Sequence, residues 1–209
     1  MKIKLCGFRD EQSIKAAIEQ KCDFLGFIFY DKSVRNILPK EAKNITAQVP
    51  NNIAKVAVIV DAEFDFLEKI ADEFSPDFFQ FHGSESVEYL QKARLKFPKI
   101  KIIKAFRIKD ASDLNAVNDY ADYADYFLLD SKVAGDVGGS GQSFDWNILR
   151  DFESQKEWFL SGGINIDNIE EALEMTKAKM IDISSGIEEV KGEKSISLIE
   201  RLMLKIKGL

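Results

Sequence analysis

Residues 158–186 read WFLSGGINIDNIEEALEMTKAKMIDISSG, and this stretch contains two short strands separated by a helical segment. The apolar runs 158–160 and 180–183 are typical of buried parallel strands, and each leads into a turn of serine and glycine. Between them, Asn165 or Asp167 is predicted to cap a helix. The same succession recurs along the chain at a spacing of about 25 residues, which is the period of a βα unit.

Eight such strands are predicted. They cover residues 3–5, 24–29, 53–60, 77–81, 101–106, 126–129, 158–160 and 180–183. Segments with apolar residues at helical spacing, such as Leu67, Ile70 and Phe74, separate the strands. Pro39 suits the first turn of one of these helices. A doubly wound sheet and a (β/α)8 barrel both accept this alternation, but eight units fill the barrel with none left over. No dinucleotide fingerprint follows the first strand. The prediction is an α/β protein, a single (β/α)8 TIM barrel over residues 1–209.

Composition narrows the function classes further. The chain has 35 acidic and 29 basic residues, a net charge of −6, which disfavours a nucleic-acid partner. No apolar run approaches the ~18 residues that span a bilayer, so no membrane partner is expected. The absence of a secretion signal at the start of the sequence and the presence of only two cysteines predict a cytoplasmic protein. A single histidine, His82, disfavours a catalytic zinc site and a serine–histidine–aspartate triad.

In a TIM barrel the functional groups lie at the carboxyl ends of the strands. After strands 7 and 8 the sequence has two small-residue turns, Ser161-Gly162-Gly163 and Ser184-Ser185-Gly186. Turns of this kind present backbone N–H groups to an anion, and the fold usually binds phosphate at these two strands. The alternative is that serine and glycine only make tight turns. The coincidence of both turns favours phosphate.

Cys6 and Asp130 end strands 1 and 6. If the faces that they share with Lys4 and Leu128 point into the barrel, a thiol and a carboxylate meet across its mouth. Such a pair is able to move protons on a bound sugar phosphate, one as base and one as acid. The alternatives are a buried, inert thiol and a turn-forming aspartate. Lys4 and Asp182 are further predicted to form a buried ion pair where strands 1 and 8 meet.

Three other features of the loops suggest roles. Arg35 is predicted either to form a two-pronged pair with a carboxylate or to lie exposed on the surface. The glycines of residues 135–142 suit a loop that closes over a ligand, and they do not match a nucleotide P-loop. His82 is expected to be a hydrogen-bonded structural residue.

Several motifs occur in order along the whole chain. They are Lys4-Leu5-Cys6-Gly7, Gly26-Phe27-Ile28-Phe29-Tyr30, Ser33-Val34-Arg35, Phe81-His82-Gly83, Leu128-Leu129-Asp130, residues 138–146 (GGSGQSFDW), Leu160-Ser161-Gly162-Gly163 and Asp182-Ile183-Ser184-Ser185-Gly186. Together they resemble the phosphoribosylanthranilate isomerases of tryptophan biosynthesis. The departures from the family pattern are apolar exchanges beside Cys6, His82 and Asp182.

The resemblance implies a cofactor-free and metal-free Amadori rearrangement by an intramolecular oxidoreductase of the aldose–ketose type. N-(5'-phosphoribosyl)anthranilate would become 1-(2-carboxyphenylamino)-1-deoxyribulose 5-phosphate. The family's general acid corresponds to Asp130, its general base to Cys6, and its anthranilate-binding arginine to Arg35. Phosphate and loop contacts would come from Gly139, Ser140, Gly141, Ser161, Gly162, Gly163, Ser184, Ser185 and Gly186.

Two other functions remain open at this point. A related sugar-phosphate isomerase of the same fold is one, although a histidine-pathway isomerase would carry a carboxylate where this chain has Cys6, and a metal-dependent epimerase would need more histidines. The other is a phosphate-binding barrel without catalysis, which the fold alone does not exclude. The expected partner is a small sugar phosphate, and a monomer is expected, with a dimer as the alternative.

Overall fold

The computed structural model describes residues 1–131 and 145–209. Eight parallel strands, β1 to β8, pair in chain order and close into a barrel. The strands are β1 (Lys2–Cys6), β2 (Phe24–Phe29), β3 (Ala54–Ile59), β4 (Phe78–Phe81), β5 (Lys101–Ile108), β6 (Tyr126–Ser131), β7 (Trp158–Leu160) and β8 (Met180–Ile183). The predicted TIM barrel is therefore confirmed. The sequence placed the strand ends to within two residues of their observed positions.

Helices pack on the outer face of the barrel. They are α1 (Glu11–Glu19), α2 (Pro39–Ile45), α3 (Phe64–Phe74), α4 (Val87–Lys96), α5 (Ile169–Thr176) and α6 (Ile196–Lys207). Pro39 begins α2 as predicted, because proline lacks the N–H that a first-turn residue leaves unpaired. Among the described residues, no helix combines the length and apolar character needed to span a membrane.

The expected helix between β5 and β6 is wrong. Two short 3-10 turns, Ala111–Leu114 and Val117–Tyr120, connect β5 to β6, and the described part of the next connection contains only the 3-10 turn Trp146–Leu149. The first connection is rich in aspartate and asparagine, whose side chains bond the local backbone: Asp110 accepts from the N–H of Ser112 at 3.0 Å. Such bonds compete with a regular helix.

The predicted cap of the helix after β7 is also wrong. α5 begins at Ile169, and its N-cap is Asn168. Asn165 and Asp167 instead lie in a turn ahead of the helix, where Asn165 Oδ1 accepts from the N–H of Asp167 at 2.8 Å and Asn168 Oδ1 accepts from the N–H of Asn165 at 2.8 Å. The asparagines therefore shape the loop before the helix and place its start further from β7.

One hydrophobic layer lies on each side of the strands. The larger one packs the helices against the barrel, and the smaller one fills the barrel interior with every second strand residue. Toward the amino ends, the ring of Phe24 meets those of Phe78 and Phe159 edge-on, with centroids 5.6 and 5.2 Å apart. Because aromatic rings fill this end, the polar inward-facing residues lie toward the carboxyl ends of the strands.

The barrel closes where β1 pairs with β8, with Lys4 opposite Asp182. The Lys4 ammonium lies 2.7 Å from Asp182 Oδ1, and the two side chains are 0% and 5% exposed. The buried ion pair predicted from the sequence is confirmed. Its carboxylate member, Asp182, lines a cavity at the carboxyl ends of the strands.

Two further short strands follow β8. They are β9 (Glu188–Val190) and β10 (Glu193–Lys194), which pair as an antiparallel hairpin. Gly192 takes a φ of +92° in the connection, a conformation that glycine adopts without a steric penalty. The hairpin carries charged side chains back toward β1 and the loop after β2.

Candidate active site

A cavity opens at the carboxyl ends of the barrel strands. Most of the candidate site residues that the structure describes contribute to its wall. These are Cys6, Arg35, Asp130, Ser161, Gly162, Gly163, Ser184 and Ser185. The wall also includes Tyr30, Ser33, Gln80, His82 and Asp182, among others. The remaining candidates behave differently: Gly186 packs behind the cavity, and Gly139, Ser140 and Gly141 lie outside the described residues, as does the proposed closing loop 135–142.

Cys6 ends β1, and its side chain lies inside the barrel among the residues of the inner layer. Burial raises the pKa of the Cys6 thiol, and the Lys4 ammonium opposes this shift, while the Asp182 carboxylate adds to it. The net pKa stays above its ordinary value. A thiolate at Cys6 therefore depends on the cations around it, and a bare buried cysteine here would be inert.

The pKa of Lys4 moves in the other direction. Burial lowers it, but attraction from Asp182 and Cys6 outweighs burial and raises the pKa above its ordinary value. Asp182 is held from a second side by the Ser161 hydroxyl, which donates to Oδ2 at 3.2 Å. Lys4 is thus a fixed positive charge beside the thiol.

Asp130 ends β6 on the opposite side of the cavity and is 4% exposed. Its Oδ1 accepts from the backbone N–H of Ser131 at 2.9 Å, and its Oδ2 lies 3.1 Å from Nε2 of His82. The other ring nitrogen of His82, Nδ1, lies 3.0 Å from Nε2 of Gln80. Since an amide nitrogen only donates, Nδ1 accepts and Nε2 carries the proton that His82 donates to Asp130. His82 is hydrogen-bonded, as expected, and it also contacts the candidate acid.

Arg35 is buried, so the exposed alternative is wrong. Its Nε and Nη2 donate to the two carboxylate oxygens of Glu188 at 2.7 Å each, which is the two-pronged pair that the sequence allowed. Glu188 also accepts from Lys194 Nζ at 2.6 Å and from the backbone N–H of Gly192 at 3.0 Å. Burial alone would raise the pKa of Glu188, but these donors lower it to about 2.

The two small-residue turns lie side by side at the cavity. Gly162 and Gly163 have φ values of +91° and +71°, so the first turn requires the conformational freedom of glycine. A Cβ on Gly162 would stand 2.5 Å from the backbone nitrogen of Ser131, which shows how closely this turn approaches β6. The turn does not open directly onto a helix, because α5 begins only at Ile169. Anion binding at the first turn must therefore rest on the turn's own N–H groups.

The second turn follows β8 and packs against the first. A Cβ on Gly186 would collide with the backbone carbonyl of Ile164, so glycine is required there for close packing of the two loops. Ser184 donates its hydroxyl to the carbonyl oxygen of Cys6 at 3.1 Å, which ties this turn to β1. Gly186 therefore supports the site without facing the cavity.

Three contributors to the site were not found from the sequence. Gln80 orients His82, and Glu188 and Lys194 surround Arg35 from the hairpin after β8. Gln80 had a usable signal, since it shares the inward face of β4 with His82 two residues later. Within residues 1–131 and 145–209, no cluster of three or more histidine, cysteine, aspartate or glutamate side chains is placed to hold a metal ion.

The fold and the cavity together define a class: a (β/α)8-barrel enzyme whose site combines a thiol, a carboxylate and two small-residue turns. The family model described as N-(5'phosphoribosyl)anthranilate (PRA) isomerase matches residues 3–205. The chain belongs to this family.

Individual relatives agree with the family match. The chain is 40% identical over 201 residues to the N-(5'-phosphoribosyl)anthranilate isomerases of Brucella canis and Brucella melitensis, covering 95% of this chain and 90% of each relative. The crystal structure of phosphoribosyl anthranilate isomerase from Thermotoga maritima superposes with a TM-score of 0.90 at 28% identity, over the full length of both chains. The enzyme from Thermus thermophilus gives 0.87 at 27% identity, over 100% of this chain and 99% of its own.

Proposed function

We propose that this chain converts N-(5'-phosphoribosyl)anthranilate to 1-(2-carboxyphenylamino)-1-deoxyribulose 5-phosphate, with Asp130 as general acid and Cys6 as general base. The observation that carries the assignment is the placement of both groups in the wall of one cavity, beside the turns after β7 and β8. A related phosphoribosyl anthranilate isomerase, which matches with a TM-score of 0.85 at 29% identity, has been crystallised with the reduced form of this product. The rearrangement belongs to tryptophan biosynthesis.

Asp130 would protonate the ring oxygen of the ribose, which opens the furanose and leaves a protonated Schiff base. The proton then has to be restored to the carboxyl group for the next turnover. In the described geometry His82 donates to Asp130 Oδ2, so the imidazole stabilises the carboxylate that remains after the transfer. Gln80 keeps His82 in the tautomer that makes this contact.

Cys6 would then remove the proton from carbon 2 of the ribose, giving an enolamine that tautomerises to the ketone. The base has to be a thiolate, which burial disfavours. The Lys4 ammonium, fixed by Asp182, favours the charged form and supplies part of the necessary stabilisation. The thiol and the carboxyl group are thus assigned to opposite proton transfers in one cavity.

Binding is assigned to the remaining wall residues. The guanidinium of Arg35, held in one orientation by Glu188, would bind the anthranilate carboxylate. The phosphate would be bound by the turns Ser161-Gly162-Gly163 and Ser184-Ser185, with Gly186 holding the second turn against the first. No cofactor or metal takes part in the proposed steps.

Further aspects of the proposal concern the protein as a whole. We infer that the 209 residues act as one domain, in the cytoplasm, on a small sugar phosphate. A monomer is our expectation, with a dimer as the alternative; one matching T. maritima structure is of monomers generated from an isomerase described as dimeric. Light scattering coupled to gel filtration would distinguish a monomer of 23.7 kDa from a dimer.

The function is tested by the loss of fluorescence of freshly generated phosphoribosylanthranilate. We expect Asp130→Asn and Cys6→Ala each to lower kcat by ~10²–10⁴-fold with a much smaller change in KM, because each removes a proton-transfer group. Asp122→Asn, at an exposed carboxylate, and Cys22→Ala, at a thiol outside the cavity, are the matched controls. Near-normal turnover by Cys6→Ala would remove the base assignment, and a folded wild type without turnover would remove the function.

A further inference from the structure

A lysine outside the predicted site lies next to the proposed base. Lys194 is in β10, and its side chain is 1% exposed. Its ammonium donates to Glu188 Oε1 at 2.6 Å and to the carbonyl oxygen of Ser184 at 2.9 Å. A lysine with a buried head group and two short contacts is not a solvated surface charge.

The contacts of Lys194 lead directly to Cys6. The Ser184 that it binds donates its own hydroxyl to the carbonyl oxygen of Cys6 at 3.1 Å. The next residue, Gly7, has a φ of +90°, and a Cβ built on it would stand 3.2 Å from Lys194 Nζ. The ammonium therefore lies against the backbone that immediately follows the thiol, on the side where β1 reaches the cavity.

We propose that Lys194 is a positioning residue for the isomerase reaction, in which its ammonium stabilises the Cys6 thiolate from the hairpin side while Lys4 does so from within the barrel. The inference rests on the proposed function for its catalytic meaning. The electrostatic part is independent of it. In support, the field of Lys194 lowers the pKa of the Cys6 thiol, which burial raises.

Other titratable or charged groups around Cys6 set the background for this effect. They come from β1, the end of β4, β6, β8, the loop after β2 and the hairpin, and they are Lys4, His82, Asp130, Asp182, Arg35 and Glu188. Asp182 raises the thiol pKa and Lys4 lowers it, and these two are already bound to one another. Since Asp182 opposes the effect of Lys4 on the thiol, a second cation has a clear physical role in making the thiolate accessible.

Burial also affects Lys194 itself. It lowers the pKa of the ammonium below its ordinary value, and Glu188 at 2.6 Å opposes this shift by favouring the charged form. Glu188 thus has two cationic partners, since it holds the Arg35 guanidinium with both oxygens and accepts from Lys194 with one of them. The hairpin after β8 links the proposed carboxylate-binding arginine to the proposed base.

The test is the pH dependence of alkylation of Cys6 by iodoacetamide, followed by mass spectrometry of the Cys6 peptide, in wild type, Lys194→Met, Lys194→Arg and Lys191→Met. Lys191 is an exposed lysine of the same hairpin and gives the matched control. We expect Lys194→Met to lower the alkylation rate at pH 7.5 about tenfold and to move its midpoint to higher pH, because an adjacent opposite charge is lost. Lys194→Arg should restore most of the rate, and Lys191→Met should match the wild type.

Turnover separates this inference from the proposed function. If Lys194→Met is folded by circular dichroism and its alkylation profile coincides with that of the wild type, Lys194 is structural only and the proposal is wrong. If the profile shifts, the acid limb of kcat/KM for the isomerase reaction should shift with it. A wild type that shows no isomerase turnover overturns the proposed function, while the alkylation profiles still decide whether Lys194 controls the thiol.

Discussion

Replacing Asp182 with asparagine would leave the Lys4 ammonium without its partner inside the barrel. The two side chains are 0% and 5% exposed, so water and salt screen the pair only weakly. Removing one member of a buried ion pair costs about 3–5 kcal/mol, because the remaining charge is buried without compensation. For a chain of this size the loss corresponds to a fall in Tm of roughly 6–20 °C. Asparagine keeps the volume of the side chain, so the cost reports the charge.

The pH dependence gives the prediction its sign. In the wild type the pKa of Lys4 is raised by folding. The ion pair therefore stabilises the folded protein fully at any pH below the ordinary lysine pKa, and this stabilisation is lost only as pH rises through the pKa of Lys4 in the folded protein. In Asp182→Asn burial acts without the carboxylate and lowers the pKa of Lys4. The variant should therefore gain stability as pH rises from neutral toward about 10, whereas the wild type should not.

The assay is urea unfolding between pH 7 and pH 10, followed by circular dichroism. Both proteins carry Cys6→Ala, so that a thiolate is unable to replace the missing carboxylate beside Lys4. The double replacement Lys4→Met and Asp182→Leu serves as control, since an apolar pair of similar volume should recover most of the loss. This reasoning would be refuted if Asp182→Asn lowered the free energy of unfolding by less than about 1 kcal/mol, or if the free energy of unfolding of the variant did not change with pH.

Three other outcomes are expected. The pKa of Glu188 is lowered to about 2, so its carboxylate stabilises the folded protein fully above about pH 4.3, and this stabilisation is lost as pH falls toward 2. Acid unfolding should therefore show a decline of about 3 kcal/mol in the free energy of unfolding, and Glu188→Gln should abolish this decline. Gly26→Ala should destabilise the protein by about 1–3 kcal/mol and lower kcat, since the new Cβ would stand 2.5 Å from Cys6 Sγ; an unchanged urea midpoint would contradict this. Burial raises the pKa of Cys22 to about 12, so Ellman's reagent at pH 8 should label this thiol only after unfolding, and rapid labelling of the native protein would be inconsistent with the packing.

The strands could be predicted because their signal is strong and local. Apolar runs such as β2 and β7 are buried on both faces, and the eight of them fit only a small number of architectures. The same reasoning placed Cys6 and Asp130 at strand ends, where the fold positions functional groups. The Lys4–Asp182 pair followed from strand alternation plus closure of the ring.

What could not be predicted depends on contacts between distant, polar segments. Residues 188–194 read EEVKGEK, which has the composition of a solvated surface loop. Nothing local indicates that Glu188 and Lys194 turn inward, because that follows from how the hairpin folds back over β1 and the loop carrying Arg35. The missing helix between β5 and β6 has a different origin, since local aspartate bonds there override the general alternation.

The register that closes the barrel has a consequence for synthesis on the ribosome. Lys4 and Cys6 are synthesised well before Asp182, Ser184 and Lys194, since 178 residues separate Lys4 from Asp182. Until those residues leave the exit tunnel, the seam between β1 and β8 has no second strand, and the Cys6 thiol has neither the neighbouring Lys4–Asp182 ion pair nor the hairpin beside it. Until then the nascent barrel is an open sheet. Closure of the barrel and assembly of the surroundings of Cys6 are therefore one event, which follows the synthesis of β8 and the hairpin.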